Sequence, residues 1–247
     1  VIPALAQAGH RVAALDLRGF GGSDRPPSGY DLVALAQDLA AVVRSLGHER
    51  AVAVGAGLGG QVAWALPHVA PDLTTAIAPV GAPHPLALRS LRTRALSGPA
   101  LQYVSLRIPG LAERRLRSRS ALEGLLRSWA GPHTREAVAE EAPYYAELLS
   151  RPGAARSALE PLHNLVLSRA ETAALDKPVT VPVLSVQGEL DPVQPAQAYA
   201  RDTHHVAGNL RQVTIRRSGH FPQEETPAGF VRALLPFLAV VAPPASA

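Results

Sequence analysis

The chain has 247 residues, a length that suits one α/β domain or a core with an inserted subdomain. It contains no cysteine, which excludes disulfides, thiolate metal ligands and a cysteine nucleophile. The net charge is +4, and almost all of the positive charge is carried by arginines that are spread along the chain. This distribution does not indicate a nucleic-acid-binding face, which would need the arginines to be clustered. Without a long apolar run or a secretory signal pattern, we expect a cytoplasmic protein that binds neither nucleic acid nor membrane. The composition leaves the oligomeric state open.

The start of the chain is unusual in its composition. Methionine is absent even at position 1, and the first residues read as the middle of an element. The expectation is that the sequence is N-terminally truncated, which would leave a hydrophobic edge of the predicted sheet exposed.

The first third of the chain alternates between strand and helix patterns. Short alternation of this kind predicts a parallel, doubly wound sheet. In chain order the predicted elements are a strand over His10–Leu17, a glycine- and proline-rich loop over Arg18–Tyr30, a helix over Asp31–Gly47 with Asp31 as N-cap, a strand over Ala51–Gly55, a helix over Leu58–Leu66 and a strand over Thr74–Gly81.

The middle of the chain shows helical patterns and no convincing strand. These patterns are "PLALRSLRTRAL", "ALEGLLRSWAG", "TREAVAEEAPYYAELLS" and "ARSALEPLHNLVLSRA". Strand patterns return with Val181–Gly188, a helix near Pro195–Asp202, a strand in "RQVTIRRSG" and a last helix in "TPAGFVRALLPFL". We therefore predict a core of residues 1–85 and 177–247, into which a helical cap of residues 86–176 is inserted.

The stretch "AVAVGAGLGGQVAW" allows two interpretations, because a glycine-rich turn between a strand and a helix serves two chemistries. Gly55, Gly57 and Gly60 match the G-x-G-x-x-G turn of dinucleotide-binding proteins. That motif also needs an acidic residue at the end of the next strand, which here ends "AIAPVG". The same stretch matches a nucleophile elbow, in which Gly55 and Gly59 are the small flanking residues and Gly57 is the apex.

Two residues far along the chain favour the elbow. Asp191 lies just beyond one predicted strand, in "GELDP", and His220 lies just beyond the next, in "GHFPQEE". The order of apex, acid and histidine is that of the hydrolase triad on an α/β sheet. In such a triad Asp191 would orient His220, and His220 would act as general base.

These segments resemble the α/β-hydrolase superfamily, and within it the branch of epoxide hydrolases and haloalkane dehalogenases. The resemblance covers nearly the whole chain and includes "DLRGFGGSDRP", "VGAPHPLALRS", "LRIPGLAERRL" and "LLRSWAGP". It implies an α/β-hydrolase fold, with a mostly parallel, doubly wound sheet and an inserted helical cap. It also implies hydrolysis of an epoxide or ester-like small molecule through a covalent intermediate, without a cofactor or metal.

The sequence departs from this family at three places. The apex, where the family has Asp or Ser, is Gly57, so the nucleophile position is vacant. The cap tyrosine expected in "SALEPLHNL" is absent, which leaves Tyr144 and Tyr145 as cap candidates. The H-G-x-P segment of the oxyanion side has no counterpart, so the backbone N–H of Leu58 is the predicted oxyanion donor.

Three hypotheses follow from these departures. The chain is a hydrolase by descent whose covalent catalysis is impaired or absent, a pseudoenzyme in the extreme case. Alternatively, it is a non-catalytic binding or regulatory protein on the same scaffold, with a small hydrophobic substrate or ligand as its partner. Third, it is a non-functional fragment. No metal is predicted, because the nine histidines lack ligand spacing apart from His204 and His205, which we place at a helix end.

Overall fold

The centre of the molecule is a parallel sheet. A computed structural model describes residues 1–89, 108, 110–163 and 167–243, and within these residues four strands pair in the order β1-β2-β3-β4. The strands are β1 (Ala51–Ala56), β2 (Thr74–Val80), β3 (Val183–Gly188) and β4 (Leu210–Ile215). Because every pairing is parallel, the carboxyl ends of all four strands meet at one edge of the sheet.

The helices follow the strands in the alternation that the sequence predicts, with a long helical segment between β2 and β3. They are α1 (Ile2–Gln7), α2 (Leu32–Ser45), α3 (Leu58–Val69), α4 (Leu111–Leu116), α5 (Arg119–Trp129), α6 (Arg135–Ala139), α7 (Ala142–Ser150), α8 (Ala154–His163), α9 (Arg169–Leu175), α10 (Ala196–Ala200), α11 (Pro222–Glu225) and α12 (Pro227–Val241), with 3₁₀ turns at Pro85–Arg89 and Arg201–His204.

Helix α2 begins where the sequence predicts. The carboxylate of Asp31 accepts a hydrogen bond of 2.9 Å from the backbone N–H of Ala34, which satisfies one of the donors that a helix start leaves free. The apolar positions spaced for one helix face place Leu35, Ala36 and Ala40 in the core. The prediction of an N-cap at Asp31 is confirmed.

The sheet is covered on both faces, as strand alternation requires. Ile77 points from β2 into a cluster that contains Trp64 of α3, whereas its neighbours Ala76 and Ala78 point into a cluster with Phe230 of α12. Burial of both faces explains why the strands read as nearly continuous apolar runs.

The helices between residues 111 and 163 have a core cluster of their own. Its buried members come from α4, α5, α7 and α8 and include Leu116, Leu122 and Leu159. The pattern "TREAVAEEAPYYAELLS" forms two helices rather than one, because α6 ends at Ala139 and Pro143 lies in the first turn of α7. The pattern that starts at Pro85 begins as a 3₁₀ turn, and its remainder lies outside the described residues.

The prediction of a strand over His10–Leu17 is wrong. These residues have no strand or helix assignment, and Val12 and Leu15 are exposed. A strand pattern becomes a strand only where a partner strand lies beside it, and in the described part of the chain the sheet begins at β1.

Candidate active site

The turn between β1 and α3 is as tight as the sequence suggests. Gly57 is the single residue between the two elements and has a φ of 54° and a ψ of −115°, a backbone conformation that favours glycine. A Cβ on Gly55 would lie 2.2 Å from the carbonyl oxygen of Gly59, and a Cβ on Gly60 would lie 2.5 Å from the Cβ of Ala82. The glycines therefore let the strand and helix approach each other closely around the apex.

His220 and Asp191 form a buried pair beside this apex. Nδ1 of His220 lies 3.0 Å from Oδ2 of Asp191, and the two side chains are 6% and 2% exposed. The backbone N–H groups of Val193 and Gln194 donate to Oδ1 of Asp191 at 2.8 and 3.1 Å, so this carboxylate is held in place. Because a carboxylate only accepts, Nδ1 of His220 carries the proton and Nε2 is left for other chemistry.

The free nitrogen of His220 points at the apex. Its Nε2 lies 3.9 Å from the position of a Cβ on Gly57, and apart from the residues next to Gly57 it is the only described heavy atom within 4 Å of that position. The structure thus brings Gly57, Asp191 and His220 together, and the apex between them carries no side chain.

The imidazole of His220 is fixed from several sides. Its backbone N–H donates to the carbonyl oxygen of Trp129 at 2.9 Å, and the Trp129 ring meets the imidazole edge to face at 5.5 Å. On another side a Cβ on Gly81 would lie 2.8 Å from the carbonyl oxygen of His220. The histidine is therefore positioned both by the chain after β2 and by the last residue of α5.

Glu225 is a buried carboxylate that the sequence analysis did not single out. Its Oε2 accepts from the N–H of Gly131 at 2.8 Å and of Gly219 at 2.9 Å, and from the hydroxyl of Thr134 at 2.5 Å. Its Oε1 accepts from the N–H of Phe221 at 2.9 Å. One side chain thus joins the two residues that flank His220 to the segment after α5. In the sequence, the only indication of this carboxylate is "QEE" after the histidine, and that pattern does not show which of the two glutamates is buried.

Leu58 is the first residue of α3, and its backbone N–H makes no hydrogen bond to any described residue. The N–H of Gly57 is already used, because it donates to the carbonyl oxygen of Val80 at 2.9 Å. The first turn of a helix carries N–H groups without helical acceptors and a positive electrostatic potential. The donor predicted at Leu58 is therefore free and directly follows the apex in the chain.

The two cap candidates differ in environment. Tyr144 is 58% exposed on α7, whereas Tyr145 is half-buried and packs against the cluster of the helical segment. Burial, reinforced by the charge of Glu224, raises the pKa of Tyr145 to about 12. A phenol with such a pKa keeps its proton and can donate it in a hydrogen bond. No contact joins either ring to Gly57 or His220 among the described residues.

Histidines outside this site do not form a metal centre. His204 ends the second 3₁₀ turn and His205 follows it, stacked on the ring of His84 at 4.0 Å. Within the described ranges, no group of three His, Cys, Asp or Glu side chains is arranged to hold a metal ion. In the same part of the chain, no helix combines the length and apolarity that a bilayer crossing requires.

Comparison with known proteins places this chain in a family. A family model described as the alpha/beta hydrolase fold matches residues 1–227. The chain therefore belongs to the α/β-hydrolase fold family, and the predicted fold class is confirmed.

Within that family the chain is epoxide-hydrolase-like. It is 30% identical over 272 aligned residues to epoxide hydrolase A of Mycobacterium tuberculosis, an alignment that covers 96% of this chain and 84% of that protein. The solved structure of epoxide hydrolase CorEH without ligand is similar at a TM-score of 0.77 and 25% identity, over 97% of this chain and 85% of the other. Epoxide hydrolase A from Mycobacterium thermoresistibile is similar at a TM-score of 0.73 and 25% identity, over 96% and 85%.

Proposed function

We propose that this protein keeps the acid–base half of an epoxide-hydrolase-like site and lacks the covalent half. The observation that supports this proposal is the bare apex, where Nε2 of His220 stands 3.9 Å from the missing Cβ of Gly57. Hydrolysis of an epoxide or ester-like small molecule through an ester intermediate is then impaired, because no apex carboxylate or hydroxyl can attack carbon.

The remaining residues can still move a proton. In a direct hydrolysis, Nε2 of His220 takes a proton from water, and the water oxygen attacks the carbonyl carbon of an activated ester. Asp191 stabilises the imidazolium that forms, and the N–H of Leu58 donates to the developing oxyanion. The tetrahedral intermediate then collapses, the acyl C–O bond to the leaving group breaks, and His220 returns the proton to the leaving oxygen. Such a route is slow, since loss of an activated nucleophile removes several powers of ten in rate.

The test compares the unaltered protein with Gly57→Asp and His220→Ala on an epoxide and on a p-nitrophenyl ester. We expect no epoxide turnover by the unaltered protein and a gain of epoxide hydrolysis in Gly57→Asp. Gly47→Asp is the matched control, because Gly47 also has a positive φ, of 77°, and no described residue other than its chain neighbours lies within 4 Å of its Cβ position. Epoxide turnover by the unaltered protein that His220→Ala abolishes would overturn the proposal.

A second candidate is a non-catalytic binding or regulatory protein for a small molecule. Two features favour this candidate, namely the buried pair of His220 and Asp191 and the open position above Gly57. Both are present although the apex has no nucleophile, so they can bind a ligand without covalent catalysis. A rise in melting temperature with a diol or an epoxide, without turnover, supports this candidate. A protein that hydrolyses the same compound excludes it.

A further inference from the structure

Two hydrogen-bond donors, one on a side chain and one on the backbone, lie next to the bare apex in space or in the chain. Among the described residues other than its chain neighbours, only Nε2 of His220 comes within 4 Å of the Cβ position of Gly57, at 3.9 Å, so the volume that an apex side chain would fill is open. An Asp side chain at this position would end in a carboxylate at that place. A free carboxylate can therefore take the place that an Asp side chain would fill at position 57.

The first boundary of this space is the start of α3. This helix has twelve residues, and its first N–H, that of Leu58, has no acceptor among the described residues. The free N–H and the positive helix end attract an anion. The N–H of Gly57 is bound to the carbonyl oxygen of Val80, so the first free donor after the apex is the N–H of Leu58.

The second boundary is independent of the helix. His220 is 5% exposed, and its Nε2 makes no hydrogen bond to any residue that the structure describes, although it points at the apex. With Asp191 accepting from Nδ1, protonation of Nε2 gives an imidazolium whose charge is balanced on its far side. A buried donor of this kind lowers its free energy by meeting a negatively charged oxygen.

The other nearby carboxylate does not compete for this space. Glu225 supports the backbone around His220, and its two oxygens already accept from Gly131, Thr134, Gly219 and Phe221. Asp191 is engaged on the opposite side of the imidazole. The two donors at the apex, Leu58 N–H and His220 Nε2–H, are thus left to a ligand from solution.

We propose that the apex of this protein is a binding site for a small monocarboxylate, of the size of formate or acetate. One carboxylate oxygen accepts from the N–H of Leu58 and the other from Nε2 of protonated His220. This inference rests on the proposed function, because it needs an apex without a nucleophilic side chain.

The experiment measures binding of sodium formate and sodium acetate to the full chain at about pH 6, by melting temperature and by the imidazole nitrogen NMR resonances of His220. Sodium chloride at equal ionic strength and acetamide, a neutral analogue of acetate, are the ligand controls. We expect a saturable rise in melting temperature and a shift of the His220 resonances with the carboxylates only. An equal response to chloride, or no saturable response, would overturn the proposal.

Two variants test where the ligand sits. Gly57→Asp places a tethered carboxylate in the space and should abolish the response, whereas Gly47→Asp should keep it. His220→Gln removes the imidazolium and should weaken carboxylate binding by about tenfold or more, while His133→Gln, at an exposed histidine, should not. Retention of full affinity in His220→Gln would contradict the proposal even if Gly57→Asp does not fold.

The two proposals fail in different measurements. Turnover of an epoxide that depends on His220 refutes the impaired enzyme, whatever carboxylates do. Absence of carboxylate binding in a protein without turnover refutes the ligand site and leaves the impaired enzyme standing.

Discussion

At the scale of single residues, the glycines around the apex are not equivalent, although the sequence presents them as one motif. Gly55 and Gly60 are required by contact, because their Cβ positions lie 2.2 Å from the carbonyl oxygen of Gly59 and 2.5 Å from the Cβ of Ala82. Within the described ranges, no atom outside its chain neighbours and the backbone of its own helix lies within 4 Å of the Cβ position of Gly59. The glycines of this motif therefore have different roles. Gly57 is needed for its backbone conformation, Gly55 and Gly60 are needed because a side chain would clash, and Gly59 is not needed for either reason.

Substitution by alanine separates these cases. We expect Gly55→Ala and Gly60→Ala to lower the free energy of unfolding by about 1–3 kcal/mol or more. At Gly55 the added methyl group forces β1 and α3 apart, and at Gly60 it forces α3 away from Ala82. Gly59→Ala should leave it unchanged or raise it by up to about 1 kcal/mol, since alanine favours a helix. Chemical denaturation of the three variants measures this, and equal losses at Gly55 and Gly59 would contradict the steric interpretation.

Glu225 allows a second test at this scale. In Glu225→Gln the carboxamide must turn its NH₂ group toward one of the N–H donors that the carboxylate accepts from. We expect a loss of about 1–3 kcal/mol in the free energy of unfolding. Glu147→Gln, at an exposed glutamate of α7, is the control and should change stability by less than about 0.5 kcal/mol. Similar losses of stability in both variants would show that the hydrogen bonds of Glu225 around His220 do not stabilise the protein.

At the scale of elements, sequence patterns predict that a helix or strand forms more reliably than they predict which elements it contacts. The N-cap at Asp31 and the strands of the sheet follow from local signals, namely a capping side chain and apolar runs. The segment His10–Leu17 has the same kind of apolar run, but its state depends on a neighbour that lies elsewhere in the chain. Local patterns do not encode such neighbours, which explains why the predicted strand does not form.

Contacts between elements also create a buried titratable cluster that the sequence does not reveal. Asp202, in the second 3₁₀ turn, accepts from the hydroxyl of Ser185 on β3 and from the N–H of His84 after β2, each at 2.8 Å. Burial raises the pKa of Asp202 from 3.8 to about 7, and burial lowers the pKa of His84 from 6.5 to about 2. The two groups therefore affect stability in opposite directions as the pH changes.

The signs follow from linkage between protonation and folding. The stability that Asp202 contributes is fully present below its unfolded pKa of 3.8 and is lost as the pH rises through about 7. The stability that His84 contributes is present above 6.5 and is lost as the pH falls toward about 2. Between about pH 5 and 8 the Asp202 contribution falls by about 2–3 kcal/mol, whereas that of His84 rises.

Asp202→Asn isolates the carboxylate, because the carboxamide can still accept from His84 and can donate to the oxygen of Ser185. Relative to the unaltered protein, we expect the variant to gain about 2–3 kcal/mol in stability between about pH 5 and 8. The measurement is the free energy of unfolding at both pH values. Asp72→Asn, at an exposed residue, should follow the unaltered protein, and the same behaviour in Asp202→Asn would refute the raised pKa.

At the scale of the whole molecule, the sequence suffices for the fold class and for the three positions that meet at the site. Asp191 and His220 each follow a strand of a parallel sheet, and the carboxyl ends of such strands share one edge, so their meeting with Gly57 follows from topology. The contacts of Glu225 and of Trp129 with the histidine segment join positions far apart in the chain. They depend on how the helical segment packs on the core, which spacing along the chain does not specify.

The arrangement of the sheet has a consequence for the molecule in solution. In the described part of the chain β1 is an edge strand, and the side chain of its Val54 is exposed, with a relative accessibility of 43%. Val12 and Leu15, in the segment before it, are exposed to a similar degree, 38% and 39%. An edge strand offers unpaired backbone groups, and apolar side chains beside them favour pairing with a second chain. We therefore expect self-association that increases with protein concentration.

Charge at the edge should oppose that association, because a lysine on an edge strand must be desolvated before another strand can pair there. In sedimentation velocity over a concentration series, Val54→Lys should shift the protein toward the monomer. Val240→Lys should not, although Val240 is 81% exposed, because it lies on α12, where the backbone groups are used within the helix. If both lysines act alike, net charge rather than the open edge controls association, and a protein that is monomeric at every concentration shows that this edge is protected in solution.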